Sequence, residues 1–102
     1  MILYNVTVQV DENLLEDWLT YMKEIHIPEV MECGIFSKYK MCRIIGSDSQ
    51  NTYSIQYFCD TLADFQRYET QFAPSLQKDH SMRYKDKFVA FRTILEVVSE
   101  SK

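Results

Sequence analysis

The chain has 102 residues, 46% hydrophobic and 25% charged, and its 11 basic and 15 acidic side chains leave a net charge of −4. A chain of this size buries roughly 65% of its unfolded surface around one core, so a single domain over residues 1–102 is expected and disorder is excluded. The acidic balance argues against nucleic acid or an anionic membrane surface as a partner.

Residues 2–10, ILYNVTVQV, alternate, with Ile2, Tyr4, Val6, Val8 and Val10 on one parity and Leu3, Asn5, Thr7 and Gln9 on the other. The pattern predicts a strand with one apolar face. The opening MILYNVTVQVDE has neither a cationic start nor a long apolar run, so the chain is read as mature, cytoplasmic and without a membrane partner. Asp11 and Asn13 are N-cap candidates, with Glu16 in capping-box register with Asn13, and apolar residues recur at 15, 18, 19, 22, 26, 30 and 33. A long helix ending at Cys33 follows, stopped by Gly34 in the left-handed position.

IFSKYKMCRII at 35–45 and TYSIQYFC at 52–59 read as a β-hairpin around the polar loop GSDSQN. Thr61, with Asp64 three places on, opens a second helix whose buried stripe is Leu62, Phe65, Tyr68, Phe72, Leu76 and His80. DKFVAFRTILEVV supplies a fourth strand. The order βαββαβ, with Pro28 and Pro74 past the middle of the two helices, predicts an α+β ferredoxin-like plait: a four-stranded antiparallel sheet with two helices on one face.

Strand parity assigns Tyr4, Val6, Val8, Tyr53, Ile55, Tyr57, Val89, Phe91 and Leu95 to the helix-covered core. The open face then carries Leu3, Asn5, Thr7, Gln9, Ser54, Gln56, Phe58, Phe88, Ala90, Arg92, Ile94 and Glu96, with Met41 and Arg43 of the second strand placed there too. Such a plait can be an RNA-recognition module, but Tyr53 and Tyr57 have core parity and NTYSIQYF lacks the glycine and basic residue that such modules use. The apolar members Leu3, Phe58, Phe88, Ala90 and Ile94 predict instead a homodimer through the open sheet face, with Arg92 meeting Glu96 or Gln56 across the two-fold axis.

YNVTV near the start, Trp18 and HIPEV in the first helix, MCRI, TYSIQY and VAFRT in the later strands resemble, in order and spacing, a family of short bacterial proteins of unknown function. The resemblance spans nearly the whole chain. It implies a ferredoxin-like domain of the dimeric α+β barrel type with no assigned activity. Wider relatives of that barrel include cofactor-independent monooxygenases, isomerases and haem-degrading enzymes, an analogy of fold alone.

The candidate ligand-binding residues are His26, Trp18, Tyr53, Tyr57, Arg43 and Arg92. At about 100° per residue His26 falls within the stripe of Leu15, Leu19, Met22, Val30 and Cys33, facing the sheet, with Trp18, Tyr53 and Tyr57 as walls of a cleft. A core histidine satisfied by a tyrosine hydroxyl or a carbonyl is the plainer reading. His26 and Cys33 lie about 10 Å apart along the helix, too far to share a tetrahedral ion, and Cys33, Cys42 and Cys59 show no C-x-x-C pairing, so no metal and no cofactor is expected. Arg43 and Arg92 could hold an anionic ligand. A homodimeric binding or scaffold module holding a small aromatic or apolar ligand is favoured over a cofactor-independent enzyme using His26, because catalysis needs a second polar group near His26 and its own helix offers only apolar neighbours.

Overall fold

In the computed structural model, which describes residues 1–46 and 51–101, the alternating β1 (Ile2–Val10) is a central strand. It pairs antiparallel with β3 (Thr52–Cys59) on one side and β4 (Phe88–Glu96) on the other, while β2 (Lys38–Arg43) pairs with the far side of β3. The resulting order β2-β3-β1-β4 is the antiparallel ferredoxin-like plait expected from the sequence. Residues 47–50 of the expected GSDSQN loop lie outside the described residues.

Asp11, rather than Asn13, starts the first crossover. Its carboxylate accepts the Asn13 N–H at 2.9 Å, and one 3-10 turn over Glu12–Leu14 precedes α1 (Leu15–Tyr21). The helix then widens into a π turn over Met22–His26, closed by the Ile27 N–H on the Met22 carbonyl, before continuing as α2 (Ile27–Glu32). Pro28 supplies the cause: it has no N–H for the Glu24 carbonyl and its ring crowds that oxygen, a conflict that a wider turn absorbs. The extra residue moves Ile27 into the fully buried place and leaves His26 half-buried on the flank of the stripe. Gly34 ends the segment at φ +78°, a value glycine adopts without penalty.

The second crossover opens as expected, with the Thr61 hydroxyl accepting the Asp64 N–H at 3.1 Å. α3 (Leu62–Gln71) breaks at Phe72, and Pro74 stands in the first turn of α4 (Ala73–Arg83), where its missing N–H costs nothing. Phe65, Tyr68, Ala73, Leu76 and His80 are buried, whereas Leu62, expected in the stripe, is exposed. They close over Ile2, Tyr4, Val8 and Val10 of β1 and Ile55, Tyr57 and Cys59 of β3 to form the core.

On β4 the faces are the reverse of the expected ones. Arg92 lies opposite Val6 and Ala90 opposite Val8, and directly opposed residues share a face. Phe88, Ala90, Arg92, Ile94 and Glu96 therefore turn towards the helices. Val89, Phe91 and Leu95, expected in the core, turn to the open face and are 53%, 68% and 44% exposed. Both sets carry large apolar side chains, and of the helix-side set Phe88 and Ala90 are half-buried while Arg92, Ile94 and Glu96 are exposed. The register decides between them, and Phe88 packs edge-on against His80 at 4.6 Å. The second strand is corrected likewise: Met41 opposes Ile55 and Arg43 opposes Tyr53, so both lie on the helix side and Lys38, Lys40 and Cys42 occupy the open face. Among the described residues no helix is long and apolar enough to cross a membrane.

Candidate functional site

Between the sheet and the helices lies a cavity of about 30 Å³, room for about two waters. β1 lines it with Tyr4, Val6 and Val8, and β4 with Phe88, Ala90 and Arg92. The helices add His26 from the π turn, with Tyr68, Gln77 and His80 from the second crossover. Tyr4 and Tyr68 are buried, whereas Arg92 is exposed and Gln77, Ala90 and His26 are half-buried, which puts the mouth along the free edge of β4.

Both histidines of the chain meet here. Their ring centroids are 5.5 Å apart with the planes inclined at 64°, and Tyr21 packs against each, at 5.9 Å from His26 and 6.2 Å from His80. The Trp18 Nε1–H donates to His80 Nε2 at 2.9 Å. Indole can only donate, so His80 is the acceptor at Nε2 and carries its proton on Nδ1. Burial pulls the pKa of His80 from 6.5 down to about 4, helped by the neighbouring His26 and Arg92. Burial likewise holds His26 at about 4, opposed by Asp79 and helped by Arg92. At neutral pH both rings are uncharged.

At the other end Tyr4, Tyr68 and Phe65 form an aromatic cluster, with Tyr4 centroids 4.9 Å from Phe65 and 5.8 Å from Tyr68. Burial raises the pKa of each of these two phenols. The Arg92 guanidinium and the Gln77 amide line the cavity beside the Tyr4 hydroxyl and partly offset its upward shift. Among the described residues the ion pairs are Asp64 with Arg67 and Asp17 with Arg83, so no carboxylate neutralises Arg92.

Of the six residues singled out from sequence, His26, Tyr57 and Arg92 line this cavity. Trp18 stands one hydrogen bond behind it, and Tyr53 packs on Trp18 at 5.5 Å. Arg43 is exposed on the outer strand β2 and stands apart from the cavity lining, so the expected Arg43–Arg92 pair does not form. Arg92 is also absent from the open face, so it cannot meet Glu96 or Gln56 there across a two-fold axis. Sequence reasoning did not assign His80, Gln77, Tyr4 or Tyr68 to the site. The available signal was that the only two histidines fall on the sheet-facing stripes of two different helices. The second polar group that the His26 helix lacks is delivered by the other crossover.

A profile described as "Domain of unknown function (DUF4286)" matches residues 1–98. No curated protein matches the sequence. Among solved structures, HapK from Hahella chejuensis superposes with a TM-score of 0.74 at 8% identity, covering 100% of this chain and 97% of its own. A dimeric ferredoxin-like protein from an uncultured marine organism gives 0.74 at 16% identity, covering 99% and 97%. SnoaB, a cofactor-independent oxygenase from Streptomyces nogalater, gives 0.70 at 10% identity, covering 97% and 95%. Identities this low establish a shared fold and no shared chemistry. With 98 of its 102 residues matched by one family, the chain belongs to the DUF4286 domains of unknown function.

Proposed function

We propose that this chain is a single-domain, homodimeric cytoplasmic protein that binds a small molecule in the cleft between its sheet and its helices, with His26, His80, Gln77 and Arg92 as its polar contacts. One observation carries the reading: polar side chains from three separate elements converge on a cavity whose other walls are apolar or aromatic, the arrangement typical of ligand sites. Trp18 and Tyr53 act from behind, fixing His80 and the sheet side of the first helix. Dimerisation through the open face is supported by the exposure of Phe91, Val89 and Leu95 and by the like-folded proteins described as dimeric.

Screening small aromatic and apolar compounds by thermal shift, on the native protein and on His26→Ala, tests the reading. A compound that raises the melting temperature of the native protein and not of the variant supports it, whereas equal shifts would place binding elsewhere.

A cofactor-independent enzyme with His26 as general base is the second reading. Its support is that, among the described residues, the neutral His26 ring has no hydrogen-bond partner and so has a lone pair to offer. A pKa of about 4 makes it a weak base at neutral pH, which favours binding over proton abstraction. Turnover of a screened ligand by the native protein and not by His26→Ala would reverse that preference.

A further inference from the structure

Arg92 brings a positive charge to the mouth of the cavity, and among the described residues no acidic side chain lies within ion-pair distance of it. We propose that the ligand carries a carboxylate or phosphate on a planar apolar body, with the anionic group held by the Arg92 guanidinium and the Gln77 amide beside the Tyr4 hydroxyl, and the body lying across Ala90 and His26. The inference rests on the binding function above and names its ligand class.

The donors and the room for such a group are already present. A guanidinium has five N–H donors in one plane, suited to two oxygens at once, and among the described residues no carboxylate pairs with that of Arg92. Arg92 springs from a strand fixed by its pairing to β1, so the backbone beneath it is in place before any ligand arrives. Gln77 lines the same cavity from α4 on the opposite wall, so sheet and helix donors face one space beside Tyr4.

Charge and size agree with this assignment. Asp79 acts on His26 and Glu69 on Tyr4, but neither comes within ion-pair distance of Arg92. Inside the cavity the remaining groups are neutral imidazoles, phenols and an amide. A neutral ligand would replace the water around Arg92 with ordinary hydrogen bonds at best, whereas an anion replaces it with charge-assisted ones about twice as strong. A space of about 30 Å³ accepts a group the size of one carboxylate in place of about two waters. Ala90 is the smallest side chain that β4 turns towards the helices, and it leaves the mouth open between Arg92 and Phe88.

Amide NMR titration of the full chain with benzoate, phenyl phosphate and uncharged benzamide tests the proposal. At least one anion should bind roughly tenfold more tightly than benzamide, shifting the amides of residues 90–93 and the Gln77 side chain. Arg92→Gln should reduce the anion to the benzamide level in a protein whose spectrum remains dispersed, Arg92→Lys should keep part of the preference, and Gln77→Leu should weaken it by a smaller factor. Preference for one anion over the other identifies the head group. Equal binding of benzamide, or an anion preference surviving in Arg92→Gln, overturns the anion assignment alone. So does silence from all three probes while the thermal-shift screen finds a ligand lost in His26→Ala. Silence in both experiments overturns the binding function together with it.

Discussion

Trp18 and His80, 62 residues apart in the chain, are joined by one buried hydrogen bond from indole Nε1 to imidazole Nε2, 2.9 Å long. It ties the first crossover to the second across the cavity wall and settles which nitrogen of His80 is protonated. Trp18→Phe removes the donor and leaves a buried acceptor unpaired, at a cost of about 1–3 kcal/mol, with a further loss for the vacated volume. Urea denaturation should therefore show a clear drop in midpoint. Long-range ¹⁵N spectra of the imidazole should change from a single Nδ1–H tautomer to a mixture.

The two neutral histidines make stability depend on pH. Their folded pKa values, about 4, lie below the 6.5 of the unfolded chain, so between those values the unfolded state takes up protons that the folded state refuses. Their contribution is complete above about pH 6.5 and is lost as the pH falls through about 4. For buried His80 alone a shift of this size amounts to about 3 kcal/mol. Comparing urea midpoints at neutral pH and near pH 4.5 checks it: His80→Gln should lose less stability on acidification than the native protein, the carboxylates being common to both.

Tyr84 donates its hydroxyl to Asp17 Oδ2 at 2.8 Å and accepts from Arg83 Nε at 3.1 Å, fastening the end of α4 to α1. Its ring is buried beside Tyr21 and His80, so only the hydroxyl is lost in Tyr84→Phe. The expected cost is about 1–2 kcal/mol, typical for a hydrogen bond to a charged group at a partly exposed position. Thermal melts of the variant, set beside Asp17→Asn, should show effects that do not add.

If two copies join through their open faces, Phe91 sits in the seam. Phe91→Asp should then give a folded monomer by sedimentation at micromolar concentration, while Arg92→Ala, on the opposite face of β4, leaves association unchanged. A dimer that survives Phe91→Asp would place the contact on another surface.

The elements of this fold were legible because local chemistry announces them. The alternation of β1, the Thr61–Asp64 cap and the left-handed Gly34 each follow from a few adjacent residues. The π turn was not legible, because Pro28 signals a disturbed helix without saying whether the chain will kink, break or widen. Pro74, in a similar place, goes with a break at Phe72 instead. The faces of β4 were misread because both parities carry large apolar side chains, whereas its pairing with β1 turns Arg92 under the helices. Part of the site followed the same logic: His26 and Tyr57 could be placed from periodicity, but the approach of His80, Gln77 and Tyr4 to them is tertiary and has no local signature.

The two rims of the sheet are unequal. On β2, Lys38, Lys40 and Arg43 put three cations into six residues, a charge density that repels a second such strand from its unpaired N–H and C=O groups. On β4 the outer rim is FVAFRTILE, nine residues long, with large apolar side chains on both faces and Arg92 as its one cation, a composition that invites strand addition when exposed. Conditions that loosen the helices over Phe88 and Ala90, acid among them, would bare this rim first, so aggregation should grow from β4 and leave β2 in solution-facing order. Lysine at Val89 would protect the rim while leaving every cavity-facing side chain in place.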